Sequence, residues 1–492
     1  MSEHRMERNG IILVSTEILV KLMGMVTTIV VARFLGADQF GFISFAYALA
    51  GVTLMGAHYG FDKLAVRELA RRPARASHFL IHISVFKISV FFPAALVCMV
   101  AAYWQSPNLE RLFDVALVFV AEAALQYTLF ICGFFRAIQK MGREGFIRFC
   151  IAMLSFATGV PMILTGWGVT GLVFSRMAVM LFCFYLAFRL LRKDFDLRWT
   201  PIRWRYLRRL LGMGLPLALI VVGVTMYMST GPLLLGILLT DEDVGYFQAG
   251  LTIITPLVVV ADAVAGTSLP MLAQTWGKDE QAFAYVIKKS IRYLMLAVIP
   301  LSMGMILESE RGMGLIFGEE YHTSAGVLMI LALVLIPDYI NIFLAVLLIS
   351  AKQEKYALRA TYTGIVVNGL GCYLLIPEQG AMGAAAAWLL AEIAVFFIQF
   401  SVLYRSITPR DHMHTLFRIT LSAGVMALVV KGCHAASLPL LFSIPAGIAS
   451  YILALMLFRE LTQDEVQRAK SVFQSFLPGA KAESPAPEKP IG

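Results

Sequence analysis

Leu35-Gly36-Ala37-Asp38-Gln39-Phe40-Gly41-Phe42 returns, with the same turn-like character, as Leu239-Thr240-Asp241-Glu242-Asp243-Val244-Gly245-Tyr246. Each octet is a short polar turn entering a long apolar stretch, 40–60 in the first case and 244–272 in the second, and each follows another apolar stretch, 11–33 or 211–238. Stretches of about twenty apolar residues suffice to cross a hydrocarbon core of about 30 Å. They lack strict alternation, and in lipid only helices or closed barrels satisfy their own backbone groups, so the pattern predicts membrane helices. Two further matches extend the repeat. Gly168-x-x-Gly171 parallels Gly380-x-x-Gly383, and Ala137-Ile138-Gln139 parallels Ala351-Lys352-Gln353. All three map helix n onto helix n+6. An even-numbered unit preserves orientation, which predicts two parallel six-helix lobes about an axis along the membrane normal, a central cavity, and alternating access by rocking.

Composition agrees with this reading. The 492 residues are 59% hydrophobic and 15% charged, with a mean hydropathy of +0.76, whereas a soluble chain carries about a quarter charged residues. The spans read as 11–33, 40–60, 79–103, 112–135, 146–165, 169–189, 211–238, 244–272, 290–308, 324–350, 357–376, 380–404, 415–433 and 439–458, with bounds good to about four residues. The predicted fold is therefore an all-α integral membrane protein with about fourteen spans: a lobe over 1–190, a basic linker over 191–210, a second lobe over 211–405, an added helix pair over 406–460 and a cytoplasmic tail over 461–492. Within that tail, 465–477 reads as a short amphipathic helix, and the stretch beyond Pro478 as disordered.

Of the 41 Lys and Arg, 34 fall in alternate loops and the C-terminal tail, and only Arg33, Arg111, Arg311 and Lys431 fall in the opposite set. The asymmetry predicts both termini in the cytoplasm and assigns the net charge of +9 to topology rather than to nucleic acid. The polar N-terminus enters a span too long for a signal-peptide core and is expected to be retained. The six cysteines are scattered without metal spacing, which predicts small core residues and no disulfide framework. No loop is large enough for an extramembrane catalytic domain, so a membrane glycosyltransferase or polymerase is disfavoured and no enzyme is expected. The largest inner loop, 189–209, carries eight Arg and Lys with Trp199, Trp204 and Tyr206. It reads either as an anchor along anionic headgroups or as a contact for a pyrophosphate-bearing lipid.

Charges inside spans cost about 2.5–3.5 kcal/mol each on insertion scales and need a reason. Glu17, Lys21, Gly24 and Thr28 share one face of the first span, and Lys21 lies about 15 Å deep. Glu17 and Lys21 either neutralise one another or present a cation to the cavity. Arg176 in the sixth span and Lys87 in the third are near enough to an end to snorkel, and Arg33 ends the first span as an interfacial or capping residue. The acids Glu122, Asp262, Asp338 and Glu392 also lie in spans. They either bind H+ or Na+ for coupling or pair with the cations across the lobes.

The stretch Ala32-Arg33-Phe34-Leu35-Gly36-Ala37-Asp38-Gln39-Phe40-Gly41 resembles the turn that opens polysaccharide flippases of the Wzx type, in the multidrug/oligosaccharidyl-lipid/polysaccharide exporter superfamily. Val66-Arg67-Glu68-Leu69-Ala70-Arg71, Phe134-Phe135-Arg136-Ala137 with Gln139-Lys140-Met141, and Ile316-Phe317-Gly318-Glu319-Glu320-Tyr321 are similarly placed. The resemblance covers roughly 10–405. It implies translocation of undecaprenyl-pyrophosphate-linked oligosaccharide from the cytoplasmic to the periplasmic leaflet of a bacterial inner membrane, for O-antigen, capsule or exopolysaccharide. Implied partners are the lipid-linked oligosaccharide, membrane lipids, and a polysaccharide polymerase and chain-length regulator. No cofactor beyond H+ or Na+ coupling is implied. Lys21, Arg176, Lys87 and Arg33 are the candidates to meet the pyrophosphate. Thr27 and Thr28 stand where the lipid II flippase branch has a second Arg-Asp pair, which disfavours a peptidoglycan precursor. The intramembrane acids keep a cation-coupled drug exporter as an alternative.

Overall fold

The computed structural model describes residues 3–404 and 409–461, with side chains described for 19–404 and 413–461. The predicted helix at 465–477 and the polar tail after it lie outside the described residues. The helices in chain order are α1 (Glu3–His58), α2 (Phe61–Arg71), α3 (Ala76–Gln105), α4 (Leu109–Ala137), α5 (Met141–Leu164), α6 (Gly168–Asp194) and α7 (Trp204–Leu238). They continue as α8 (Asp241–Ile254), α9 (Val259–Thr275), α10 (Glu280–Phe317), α11 (Ser324–Ser350), α12 (Glu354–Leu403), α13 (Pro409–Ala435) and α14 (Leu440–Leu457).

Among the described residues, 12 helical segments are long and apolar enough to cross a membrane, against the fourteen spans read from the sequence. The difference arises at two places. The first two predicted spans lie in one segment, Leu19–Arg71, and the eleventh and twelfth lie in Glu354–Leu403, of 53 and 50 residues. A straight 50-residue helix would measure about 75 Å, more than twice the hydrocarbon thickness. Neither segment is straight. Each joins two helices at a glycine outside helical geometry, Gly36 (φ 78, ψ 171) and Gly380 (φ 57, ψ −136). Both φ values lie where a side chain would clash, so glycine permits the break. Conversely α8 and α9 form one segment, bent by a short 3-10 turn at Thr255–Val258 that contains Pro256.

The repeat is visible in these turns with one correction of register. After α4, Gln139 is left-handed (φ 58) and Lys140 N–H reaches back to the Phe135 carbonyl at 2.9 Å. After α11, Lys352 is left-handed (φ 58) and Gln353 N–H reaches the Leu348 carbonyl at 2.8 Å. These are the same helix-ending motif, so Gln139 corresponds to Lys352, one residue off the sequence pairing.

The second helix of α1 packs against α8, its counterpart in the repeat, and α1 also meets α3, α5 and α7. One apolar core runs from Ala32 and Phe40 through Phe247 to Leu331 and Tyr339, joining the two halves of the chain. A second core, around Phe79, Phe130 and Phe134, belongs almost wholly to the N-terminal half. The halves are joined at the end where Gly36, the α7–α8 turn and the α10–α11 turn meet, here termed the far end because the chain begins at the other, and again near the start of α7, where Tyr59 Oη donates to the Leu211 carbonyl at 3.1 Å. The pair α13–α14 docks on α10 by two polar clasps. Glu308 accepts from Ser443 Oγ at 2.5 Å and pairs with His434 at 3.0 Å. Glu460 pairs with Arg292 at 3.0 Å and Arg418 at 3.6 Å.

Candidate functional site between the two halves

A cavity of about 360 Å³ lies between the halves. The N-terminal half contributes Thr27, Thr28, Ser44 and Tyr47 from α1, Ser155 from α5, and Ser175 and Arg176 from α6. The C-terminal half contributes Met228, Ser229 and Pro232 from α7 and Gln248 from α8. Arg176 is the only charged residue in this lining. Its guanidinium carbon lies 4.9 Å from the centroid of the Tyr47 ring, a cation–π contact that holds the planar fork without neutralising it. Glu122, on α4, is within electrostatic reach of Arg176. The outcome is a polar cavity with one permanent positive charge and several hydroxyls.

Lys21 does not line this cavity, yet it is half-buried and lies seven residues before Thr28. Seven residues are two turns, which puts Lys21 on the Thr28 face about 10 Å nearer the start of the chain. That face is open between them, since a Cβ added at Gly24 would meet nothing within 4 Å. The side chain of Glu17 lies outside the described residues.

Lys87 and Arg33 stand elsewhere. Lys87 is 5% exposed inside the N-terminal half, with its ammonium 5.4–6.0 Å from the Phe61, Tyr127 and Phe130 ring centroids. Arg33 donates from Nη1 to the Leu315 carbonyl at 3.0 Å, linking the two halves at the far end. The remaining acids gather inside the C-terminal half. Glu392 accepts from Tyr227 Oη at 2.7 Å, Asn341 Nδ2 at 2.6 Å and Trp388 Nε1 at 3.2 Å. Asp338 is in electrostatic contact with Glu392 and Asp262. Among the described residues no Lys or Arg forms an ion pair with Glu392, so this buried carboxylate is held by neutral donors of its own half.

The far end is closed by backbone proximity that only glycine allows. A Cβ at Gly41 would lie 1.6 Å from the Asp241 carbonyl oxygen, and one at Gly245 would lie 2.1 Å from the Ala37 carbonyl oxygen. Around this crossing, Arg111 pairs with Asp241 at 2.6 Å and Gln105 donates to the Gly236 carbonyl at 2.8 Å. The break at Gly36 is served by two adjacent residues of the C-terminal half. Ala37 N–H donates to Glu320 Oε1 at 2.8 Å, and Tyr321 Oη donates to the Ala32 carbonyl at 2.9 Å. Burial first, and then the Glu320 charge, push the Tyr321 phenol up, which keeps it a donor.

A family profile described as "Polysaccharide biosynthesis protein" matches residues 30–326, more than half of the chain. The chain belongs to this family. A second profile, described as "Lipid II flippase MurJ", matches residues 245–458. A Haloferax volcanii protein described as "Probable low-salt glycan biosynthesis flippase Agl15" is 25% identical over 404 residues, 82% of this chain and 84% of the relative. Among solved structures, the lipid II flippase MurJ in an inward closed conformation is similar with a TM-score of 0.72 at 14% identity, over 92% of this chain and 99% of that one. An inward-facing multidrug resistance transporter of the MATE family gives a TM-score of 0.59 at 14% identity, over 80% and 96% of the two chains. This member of the polysaccharide biosynthesis family is thus a multi-pass membrane protein with the fold shared by those transporters.

Sequence reasoning singled out Arg176, Lys21 and Thr27–Thr28, which the fold sets on one side of the seam, but it missed Tyr47, Ser175 and Gln248. Uncharged polar residues in spans give a weak signal. Tyr47, three residues after Ser44, was detectable only as part of a polar stripe on the second span.

Proposed function

We propose that this protein is a flippase that carries a lipid-linked oligosaccharide across the membrane, taking its anionic headgroup into the cavity between the halves. The observation that carries this reading is the cavity itself, closed at the far end and presenting Arg176 as its sole lining charge. A pyrophosphate needs a cation that is not already neutralised, and the surrounding hydroxyls suit a sugar chain. Membership of the polysaccharide biosynthesis family supports the same substrate class. Lys21, on the open face leading to Thr28, serves as the entry cation. Lys87 and Arg33, one buried in the N-terminal half and one bonded at the far end, serve the protein's architecture.

The chain crosses the bilayer fourteen times, with the breaks at Gly36 and Gly380 as hairpin turns, in two six-helix lobes (1–190 and 211–405) and an added pair. Both termini face the cytoplasm, so the far end faces outward. The cargo is an undecaprenyl-pyrophosphate-linked repeat unit, delivered to a polymerase on the outer face of a bacterial inner membrane. Glu392 and Asp338 couple the cycle to H+ or Na+. Their position in one half, away from Arg176, favours coupling over neutralisation of the cavity cation.

Deletion of the gene tests the proposal. Surface polysaccharide should be lost while lipid-linked units accumulate on the cytoplasmic leaflet, and wild-type copies should restore export. Normal polysaccharide with altered drug sensitivity would instead identify an exporter of small molecules, and loss of peptidoglycan synthesis would identify lipid II as the cargo.

A further inference from the structure

The segment joining the two halves carries an unpartnered surface of unusual chemistry. From the last turns of α6 through the first turns of α7, all eight cations from Arg189 to Arg209 are solvent-exposed. Trp199 is 80% and Trp204 is 72% exposed. Only two carboxylates lie in the same stretch. Asp194 is taken by Lys140 and Arg143, and Asp196 pairs with Arg198. The surface is therefore strongly cationic and carries two large amphipathic rings at the ends of two segments long and apolar enough to cross a membrane. Aromatic rings of this kind settle at the headgroup boundary, and clustered Arg and Lys there attract anionic headgroups.

The segment is also rigidly tied, which a mere tether would not be. Ser77 Oγ donates to the Asp196 carbonyl and accepts from Arg198 N–H, both at 3.2 Å. His82 Nε2 accepts from Arg203 N–H at 2.8 Å while His82 Nδ1 faces the His78 carbonyl at 2.7 Å. That pattern fixes the imidazole as the Nδ1–H tautomer and uses both of its nitrogens. The Tyr206 ring closes on His82 at 4.9 Å. Stretch 196–203, without regular structure, is thereby fastened to α3 of the N-terminal half at the point where α7 of the other half begins.

We infer that this linker is a docking platform for the anionic glycerophospholipids of the adjoining leaflet. The inference does not rest on the flippase reading, because lipid contact is measured without transport.

The test uses the full chain in vesicles of phosphatidylcholine with 20% phosphatidylglycerol, where one lipid at a time is brominated to quench tryptophan. The signal from Trp199 and Trp204 is taken as the difference from the W199F/W204F variant. Brominated phosphatidylglycerol should quench about fivefold more per mole than brominated phosphatidylcholine, the enrichment expected for a single effective surface cation. About 0.5 M salt should remove the excess. A variant with Arg203, Arg205, Arg208 and Arg209 all changed to Gln should lose it while remaining monodisperse, since the backbone bonds to Ser77 and His82 need no arginine side chain. Equal quenching by the two lipids overturns the inference, as does an excess that survives in the four-Gln variant. Quenching excess that appears only when a polyprenyl pyrophosphate is added overturns it too, and would assign the surface to the transported lipid.

Discussion

Arg176 is held by the face of Tyr47, and the Glu122 carboxylate within its electrostatic reach is not part of the cavity lining, so its guanidinium is presented to a ligand while its position is fixed. Replacing it removes a charge-assisted contact of about 1.5–3 kcal/mol, about 10–150-fold in affinity. Arg176→Ala should therefore reduce export of lipid-linked oligosaccharide by at least about tenfold at equal protein level, and Arg176→Lys should keep part of it. Lys21→Ala should impair export less and Lys21→Arg should largely preserve it, read as surface polysaccharide per cell. Full export by both alanine variants would remove the cationic cavity from the mechanism. These two residues were legible in the sequence because a charge in an apolar run announces itself through its insertion cost. Which cation faces the cavity was not. Lys87 has the same signature as Arg176 along the chain, but three rings enclose it, and those rings come from α2 and α4, far from it in sequence.

At the scale of the helix, the interruption of α1 shows how a broken backbone is made tolerable where it is buried in protein. A freed N–H and a freed carbonyl buried without a partner each cost about 1–3 kcal/mol. Glu320 takes the first and Tyr321 the second. A carboxylate at a helix start also meets the positive end of the helix dipole. Glu320→Ala should lower the thermal midpoint of the purified protein more than Tyr321→Phe does, since a charged hydrogen bond contributes about 1.5–3 kcal/mol and a neutral one about 1. Glu320→Gln should recover part of the loss. If the three variants melt like wild type, the break is not held by these contacts. The turn at 35–42 was readable from its glycines and polar residues. Its partners were not, because they lie more than 280 residues away. The count of segments differed for a related reason: hydropathy sees two spans on either side of Gly36, whereas the backbone stays helical up to and beyond it.

For the molecule as a whole, the far end is a junction at which the two halves of the chain are locked together. Arg111 and Asp241 come from opposite halves and meet at 2.6 Å. Cysteines at both positions, joined by a short bifunctional maleimide, should abolish transport, and each single variant should not. Gly41→Val should have the opposite structural effect. Its side chain would occupy the place of the Asp241 backbone, so the far end should stay open and a cysteine at Gln248 should become reactive to an outside thiol reagent. Unchanged labelling of that cysteine would show that the crossing is not the gate. Glu392→Gln should leave the fold intact through Tyr227 and Asn341 yet remove the dependence of transport on the H+ or Na+ gradient, measured in vesicles with an imposed gradient. The matching endings of α4 and α11 were foreshadowed by a weak repeat in the sequence. The burial of Glu392 among neutral donors was not, since Tyr227, Asn341 and Trp388 stand on three different helices.

The crossing of Gly41 over Asp241 and of Gly245 over Ala37 has one more implication. Position 41 on one half meets position 241 on the other, and position 245 meets position 37, so the contact is reciprocal in the manner of an isologous interface between identical subunits. A patch that fits its own duplicate is self-complementary. Either half, expressed alone, would therefore present a surface already shaped to pair with a second copy of itself, and the covalent linker between 194 and 204 is what makes the pairing of the two unlike halves win.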